Sequence, residues 1–226
     1  MTIIEQLASA IDHTILKPDA TTSMIETVCN EAIAYGFASV CINPCFVDFV
    51  STLLKGTNVK VCTVIGFPLG ATTTRIKVLE ASNAITNGAE ELDIVLSIGS
   101  LVSGEISAVV DDLSTILSVA AVKKVTTKVI IETCLLNHSQ KLAACAIITE
   151  VGADFIKTST GFSTGGATID DIELLRANIG AKTKVKASGG IRDAEFALKL
   201  LKAGADRIGT SSGVKMIEEL KVSYQI

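Results

Sequence analysis

Short apolar runs rich in β-branched residues alternate along the chain with longer stretches whose apolar positions recur at helical spacing. After an amphipathic segment at 3–10, strands are predicted at 11–16, 38–43, 59–65, 91–96 and 128–132, then one ending at Lys157, then 185–187 and 207–209. The intervening helices are predicted at 22–35, 46–54, 73–86, 103–120, 139–151, 169–178, 194–201 and 214–220. Pro18 and Pro44 stop the first two strands, and Gly66-Phe67-Pro68-Leu69-Gly70 breaks the chain after the third. Eight strands alternating with helices predict an α/β fold, a single (β/α)8 TIM barrel with a short N-terminal helix, occupying 1–226 as one domain. A doubly wound open sheet is the alternative, and it usually uses fewer units.

An internal repeat favours the closed barrel. Gly36-Phe37-Ala38, Gly88-Ala89-Glu90, Gly152-Ala153-Asp154 and Gly204-Ala205-Asp206 each set a glycine between a helix and an apolar strand. Their separations are 52, 64 and 52 residues, about two βα units each, so they mark alternate strands. Five residues beyond each glycine stand Cys41, Asp93, Lys157 and Gly209. Barrel interiors are filled by layers of four side chains from alternate strands, so these four are expected to share one layer, with a carboxylate facing an amine.

Composition narrows the picture further. The chain is 48% hydrophobic, has no tryptophan and only three prolines, and carries no low-complexity linker, which suits a parallel sheet buried on both faces. A net charge of −4 and a pI near 5.3 argue against nucleic acid as the main partner and leave room for a local basic pocket. The first ten residues lack a basic region and a long apolar core, so neither a signal peptide nor a membrane span is expected, and the location expected is cytoplasmic. Six cysteines without a CxxC pair read as reduced structural thiols. With two histidines, His13 and His138, no metal site and no cofactor is expected.

The candidate chemistry centres on Lys157, a basic residue ending an apolar strand that breaks into Thr158-Ser159-Thr160-Gly161. Desolvating an ammonium is expensive, and a neutral amine is a nucleophile. Lys186 ends the next strand, where a second positive charge would oppose protonation of the first. Asp93 interrupts an apolar strand, is costly there unless paired, and reads as a proton relay. The competing interpretations are a lysine snorkelling at the rim, or a plain ion pair in which Asp93 holds one lysine and leaves the other solvated. Asp12 is a weaker case of the same kind, since it could satisfy loop amides. Cys41 and Cys45 read as packing residues, and His13 as a satisfied rim residue. Ser188-Gly189-Gly190 and Gly209-Thr210-Ser211-Ser212-Gly213, with Thr160-Gly161, lie where barrels cradle phosphate on backbone amides and a helix N-terminus.

These residues, taken together, resemble the deoxyribose-phosphate aldolase family. The likeness runs through Ile11-Asp12-His13-Thr14, Val40-Cys41-Ile42-Asn43-Pro44, Thr63-Val64-Ile65-Gly66-Phe67-Pro68-Leu69-Gly70 and Glu91-Leu92-Asp93-Ile94-Val95. It continues through Ile131-Glu132-Thr133-Cys134, Phe155-Ile156-Lys157-Thr158-Ser159-Thr160-Gly161-Phe162, Lys186-Ala187-Ser188-Gly189-Gly190-Ile191 and Arg207-Ile208-Gly209-Thr210-Ser211. The resemblance implies a class I aldolase that cleaves 2-deoxy-D-ribose 5-phosphate reversibly to D-glyceraldehyde 3-phosphate and acetaldehyde, without a metal. It further implies that Lys157 forms the Schiff base, that Lys186 lowers the pKa of that amine, and that Asp93 serves the proton relay. By the same likeness Asp12 supports the lysines, Cys41 lines the pocket, and Gly161, Gly189, Gly190, Ser211 and Ser212 surround the phosphate.

Three positions depart from the pattern. Phe162 stands where some members carry lysine, Ser97 where asparagine is frequent, and Tyr224 is followed by Gln225-Ile226 where some members end on a proton-shuttling tyrosine. The other functions weighed are another lysine-dependent sugar-phosphate aldolase or transaldolase, and a barrel that binds sugar phosphate without catalysis. The partners expected are the small sugar phosphate and acetaldehyde, with neither nucleic acid nor membrane, and a homodimer is the assembly to be tested.

Overall fold

The computed structural model describes residues 2–224. Helix α1 (Ile3–Ala10) opens on a capping box in which Thr2 and Glu5 satisfy each other's backbone amides, and it runs straight into β1 (Ile11–Ile15). There follow α2 (Thr22–Tyr35), β2 (Ser39–Ile42), α3 (Val47–Leu53), β3 (Lys60–Ile65), α4 (Thr74–Thr86) and β4 (Glu91–Val95). The second half contains α5 (Ile98–Val102), α6 (Ile106–Lys123), β5 (Thr126–Ile130), α7 (His138–Val151), β6 (Phe155–Lys157), α8 (Ile169–Asn178), β7 (Lys184–Ser188), α9 (Ala194–Lys202), β8 (Arg207–Thr210) and α10 (Gly213–Tyr224). The strands are all parallel and pair in chain order, and β8 closes onto β1, so the fold is the TIM barrel and not the open sheet.

The glycine repeat has a simple cause. Gly36 and Gly152 end α2 and α7 in the left-handed conformation, with φ of 68° and 72°, which lets the chain turn sharply into the next strand. Outward-facing strand residues such as Val40, Ile94, Val129, Ile156 and Ile208 join Ile25, Leu113, Ile148 and Leu175 of the helices in one aliphatic shell. Burying that shell is the main force holding helices to barrel.

Several boundaries differ from those the periodicity predicts. The fifth strand lies two residues earlier than 128–132, because Lys124 takes a left-handed conformation (φ 56°) that ends α6 and lets Thr126 pair with Glu91 at once. The helix predicted over 103–120 is α6, shifted to Ile106–Lys123, and a short helix that was not predicted, α5, precedes it across Gly104 with φ 77°. The helix predicted from 46 starts with a 3-10 turn at Pro44–Phe46, and the last helix reaches Tyr224.

The strand register stacks the inward side chains in layers. Stepping around the wall, Asp12, Cys62, Lys128 and Lys186 of the odd-numbered strands share one height. One residue higher stand Cys41, Asp93, Lys157 and Gly209, the layer expected from the glycine spacing. One residue lower stand Ser39, Glu91, Phe155 and Arg207. Branched aliphatic residues usually dominate such layers. Here seven of the twelve positions are ionisable acids or bases, counting Asp, Glu, Lys and Arg.

Candidate active site

Strand alternation aims every second residue into the barrel, and this periodicity gathers the charges. Asp93, from the middle of β4, is their hub. Its Oδ2 lies 2.7 Å from Lys157 Nζ at the end of β6 and 2.7 Å from Lys186 Nζ on β7, while its Oδ1 lies 2.9 Å from Lys128 Nζ on β5. Lys128 reaches down to Glu91 Oε2 at 2.6 Å, and Lys186 reaches Asp12 Oδ2 at 2.5 Å. Beneath them the Arg207 guanidinium pairs with Asp12, with Nε 2.7 Å from Oδ1, and lies 3.1 Å from Glu91. Four cations and three carboxylates thus form one network inside the barrel.

Burial and mutual attraction compete in this network, and attraction wins at the groups that shift. Burial alone would raise the Asp93 carboxyl, but Lys128, Lys157 and Lys186 hold it well below the usual carboxylate range. Asp12 is likewise held low against burial by Lys186, Lys128 and Arg207. Burial would lower the Lys186 ammonium, yet Asp12 and Asp93 hold it above the ordinary lysine range, so it stays charged at neutral pH. Lys128 is held high against burial chiefly by Asp93. An ion pair in which Asp93 takes one lysine and leaves the other solvated is therefore not what forms: Asp93 takes both, together with Lys128.

Cys62 adds a thiol 3.3 Å from Asp93 Oδ1, and burial, with its neighbours Cys41 and Asp93, pushes that thiol well up. Cys41, Cys62 and Asp93 offer three metal-type ligand atoms within 4.8 Å of one another. Three lysine side chains already surround that carboxylate, and Lys128 and Lys186 are held charged, so a cation placed there meets like charges at close range. The residues present do not fit a metal ion.

Above the network opens a cleft of about 600 Å³, walled by the ends of β1, β6, β7 and β8 and the turns after them. Lys157 lies on its floor, 3% exposed. Thr160, Gly161, Gly189, Gly190 and Ser211 line it, as do Lys17 and Arg192, whose positive charge the sequence did not single out. Asp12 and Cys41 are fully buried beneath the cleft and off its wall. Ser212 also lies off the wall, its amide donating to Thr210 Oγ1 at 2.9 Å just before α10 begins.

The two turns over Lys157 are fitted closely. Ala167 donates its amide to Gly189 O at 3.0 Å, and a Cβ on Gly166 would stand 2.2 Å from that same oxygen. Phe162 meets Phe67 edge to face at 5.2 Å, so the turn after β6 touches the turn after β3. His13 is buried beside the cleft, with Nε2 2.7 Å from Glu31 Oε2 and its ring against Phe37. Ser97 sits at the start of α5, and Tyr224 is half-exposed at the end of α10, while Gln225-Ile226 lie outside the described residues.

Lys128, Glu91, Arg207 and Cys62 belong to the network and were not singled out from the sequence. The signal for two of them was present: Glu91 and Arg207 stand two residues before Asp93 and Gly209, hence on the same inward face. Lys128 was obscured because it marked the first residue of a strand that in fact begins at Thr126. Glu132, just past β5, is buried with φ 53° and bonds to Thr160, a role no periodicity announces.

The chain is similar to known proteins over nearly its whole length. Residues 6–218 match the family model described as DeoC/LacD family aldolase. A deoxyribose-phosphate aldolase of Thermoanaerobacter sp. (strain X514) is 55% identical over 216 residues, covering 94% of this chain and 96% of that protein. One from Carboxydothermus hydrogenoformans is 52% identical over 217 residues, covering 95% of each. Among solved structures, the tetrameric deoxyribose phosphate aldolase of Aeropyrum pernix superposes with a TM-score of 0.90 at 38% identity, covering 96% of this chain and 92% of that one.

Proposed function

This chain belongs to the DeoC/LacD family of aldolases, and on that premise we propose that it cleaves 2-deoxy-D-ribose 5-phosphate reversibly to D-glyceraldehyde 3-phosphate and acetaldehyde through a Schiff base on Lys157. The observation that carries the residue assignment is the charge count of the buried network. Four cations face three carboxylates, and the set balances when one cation gives up its proton. Lys128 has Asp93, Glu91 and Asp12 within 4.0 Å, Lys186 has Asp12 and Asp93, and Arg207 has Asp12 and Glu91. Among the described residues Lys157 pairs with Asp93 alone, and of the network's lysines it is the one that lines the cleft. It is the amine placed to meet a substrate, and Lys186 stands beside it as a fixed cation.

The chemistry follows from that arrangement. The Lys157 amine adds to the C1 aldehyde of the open-chain sugar, and loss of water leaves a protonated imine. As the C3 hydroxyl gives up its proton, the electron pair of the C2–C3 bond moves toward the imine nitrogen, releasing glyceraldehyde 3-phosphate and leaving an enamine. The enamine takes a proton at C2, and water then hydrolyses the imine to free acetaldehyde and the amine. Asp93 Oδ2, shared by Lys157 and Lys186, is the relay for protons passing through the site. The turns at Thr160-Gly161, Gly189-Gly190 and Ser211 receive the phosphate beside the start of α10, with Asp12 supporting Lys186 from below.

The reading extends to a single catalytic domain acting in the cytoplasm as a homodimer; among the described residues no helix is long and apolar enough to cross a membrane. Turnover of 2-deoxyribose 5-phosphate measured beside that of fructose phosphates tests the substrate. Cleavage of the deoxy sugar alone is expected, and cleavage of the fructose phosphates alone would assign a different aldolase.

A further inference from the structure

We propose that Glu132 is a positioning residue that sets the phosphate-side wall of the cleft at a fixed place relative to Lys157, an inference that rests on the aldolase reading above. Glu132 is 2% exposed and holds a left-handed backbone (φ 53°) at the exit of β5, where its Cβ crowds its own chain and glycine would not. Such a conformation persists where surrounding contacts over-determine it. Ile131 N donates to Lys157 O at 3.0 Å and Thr133 N donates to Thr158 O at 2.9 Å, so the residues on either side of Glu132 are pinned to the end of β6.

The strained residue aims its carboxylate at the same turn. Thr160 N lies 3.3 Å from both Oε1 and Oε2, and the Thr160 hydroxyl donates to Oε2 in a short bond. With its proton committed to Glu132, that hydroxyl accepts from Phe162 N at 3.1 Å. One carboxylate therefore orders Thr160, Gly161 and Phe162, which all line the cleft and begin three residues after Lys157. On the other side, Ser188 Oγ donates to Ser159 O at 2.5 Å, tying the same turn to β7. Among the described residues the hydrogen bonds of Glu132 go to Cys134 and Thr160 and none to the buried charge network, so its effect is assigned to the wall.

Displacing a binding wall by a fraction of an ångström is enough to change positioning strongly. The consequence is selective, because an unphosphorylated sugar uses that wall less. Steady-state kinetics of wild type, Glu132→Gln and Glu132→Gly on 2-deoxyribose 5-phosphate and on 2-deoxyribose test this, with melting curves for each protein. Glu132→Gly relieves the backbone strain while removing the carboxylate, and its ratio of kcat/KM for the phosphorylated over the plain sugar is expected to fall about tenfold, mostly through KM. Glu132→Gln keeps one acceptor oxygen and should fall between glycine and wild type. A merely structural role would lower both substrates in proportion, so an unchanged ratio in the folded variants overturns the proposal. A wild-type protein inactive on 2-deoxyribose 5-phosphate would instead overturn the aldolase reading beneath it, and that result is visible before any variant is compared.

Discussion

Lys186 shows how one residue acts through its charge without touching the bond that breaks. Held between Asp12 Oδ2 at 2.5 Å and Asp93 Oδ2 at 2.7 Å, it presents a permanent cation to the neighbouring amine. Replacing it with leucine removes that charge and leaves Asp93 to Lys157 and Lys128. Lys186→Leu is therefore expected to move the acid limb of the pH dependence of imine formation to higher pH by one to two pH units, on the order of the effect of one close charge. Trapping rates measured across pH check this, and an unmoved limb would refute the role. At this scale the sequence was informative where a charge interrupts an apolar strand, as at Asp93, Lys157 and Lys186. It was silent on Glu132, whose importance comes from a backbone conformation that no residue type reveals.

At the scale of elements, the turns after β6 and β7 are built as a matched pair. Gly166 has no room for a side chain, since a Cβ there would meet Gly189 O at 2.2 Å, a backbone atom that cannot swing away. Gly166→Ala should push the two turns apart, destabilise the protein by about 1–3 kcal/mol, and weaken binding of the phosphorylated sugar more than turnover. Denaturant melts and the KM-against-kcat split measure both effects. Strand and helix positions were legible because periods of 2 and 3.6 residues report burial directly. One boundary failed at a left-handed residue: Lys124 ended α6 and moved β5 two residues earlier, and this hid Lys128 as an inward residue. The cleft wall was legible only as glycine-rich turns, so Ser212 was expected around the phosphate and lies beside the cleft, while Cys41, expected to line the pocket, is buried beneath it.

For the whole molecule, a charged barrel interior makes stability depend on pH in a definable window. Asp12 and Asp93 have native values below the ordinary range, so their contribution is in place above about pH 3.9 and is lost as pH falls through the native values. Lys128 and Lys186 have native values above the ordinary range, so theirs is in place below about pH 10.4 and is lost as pH rises through the native values. The share of stability that these four groups contribute should thus be in place between those limits and be lost beyond them, which melting temperatures measured across pH will check: unchanged melting below the acid limit would contradict it. That eight strands and one shared register bring these charges together was foreshadowed by four glycines at spacings of 52, 64 and 52 residues. The network's purpose, on this account, is to set one amine at the floor of the cleft beside a fixed cation. Borohydride reduction of the protein with acetaldehyde, followed by peptide mass mapping, tests that most directly: an ethyl adduct on Lys157 is predicted, and folded protein with Lys157 unmodified would contradict it.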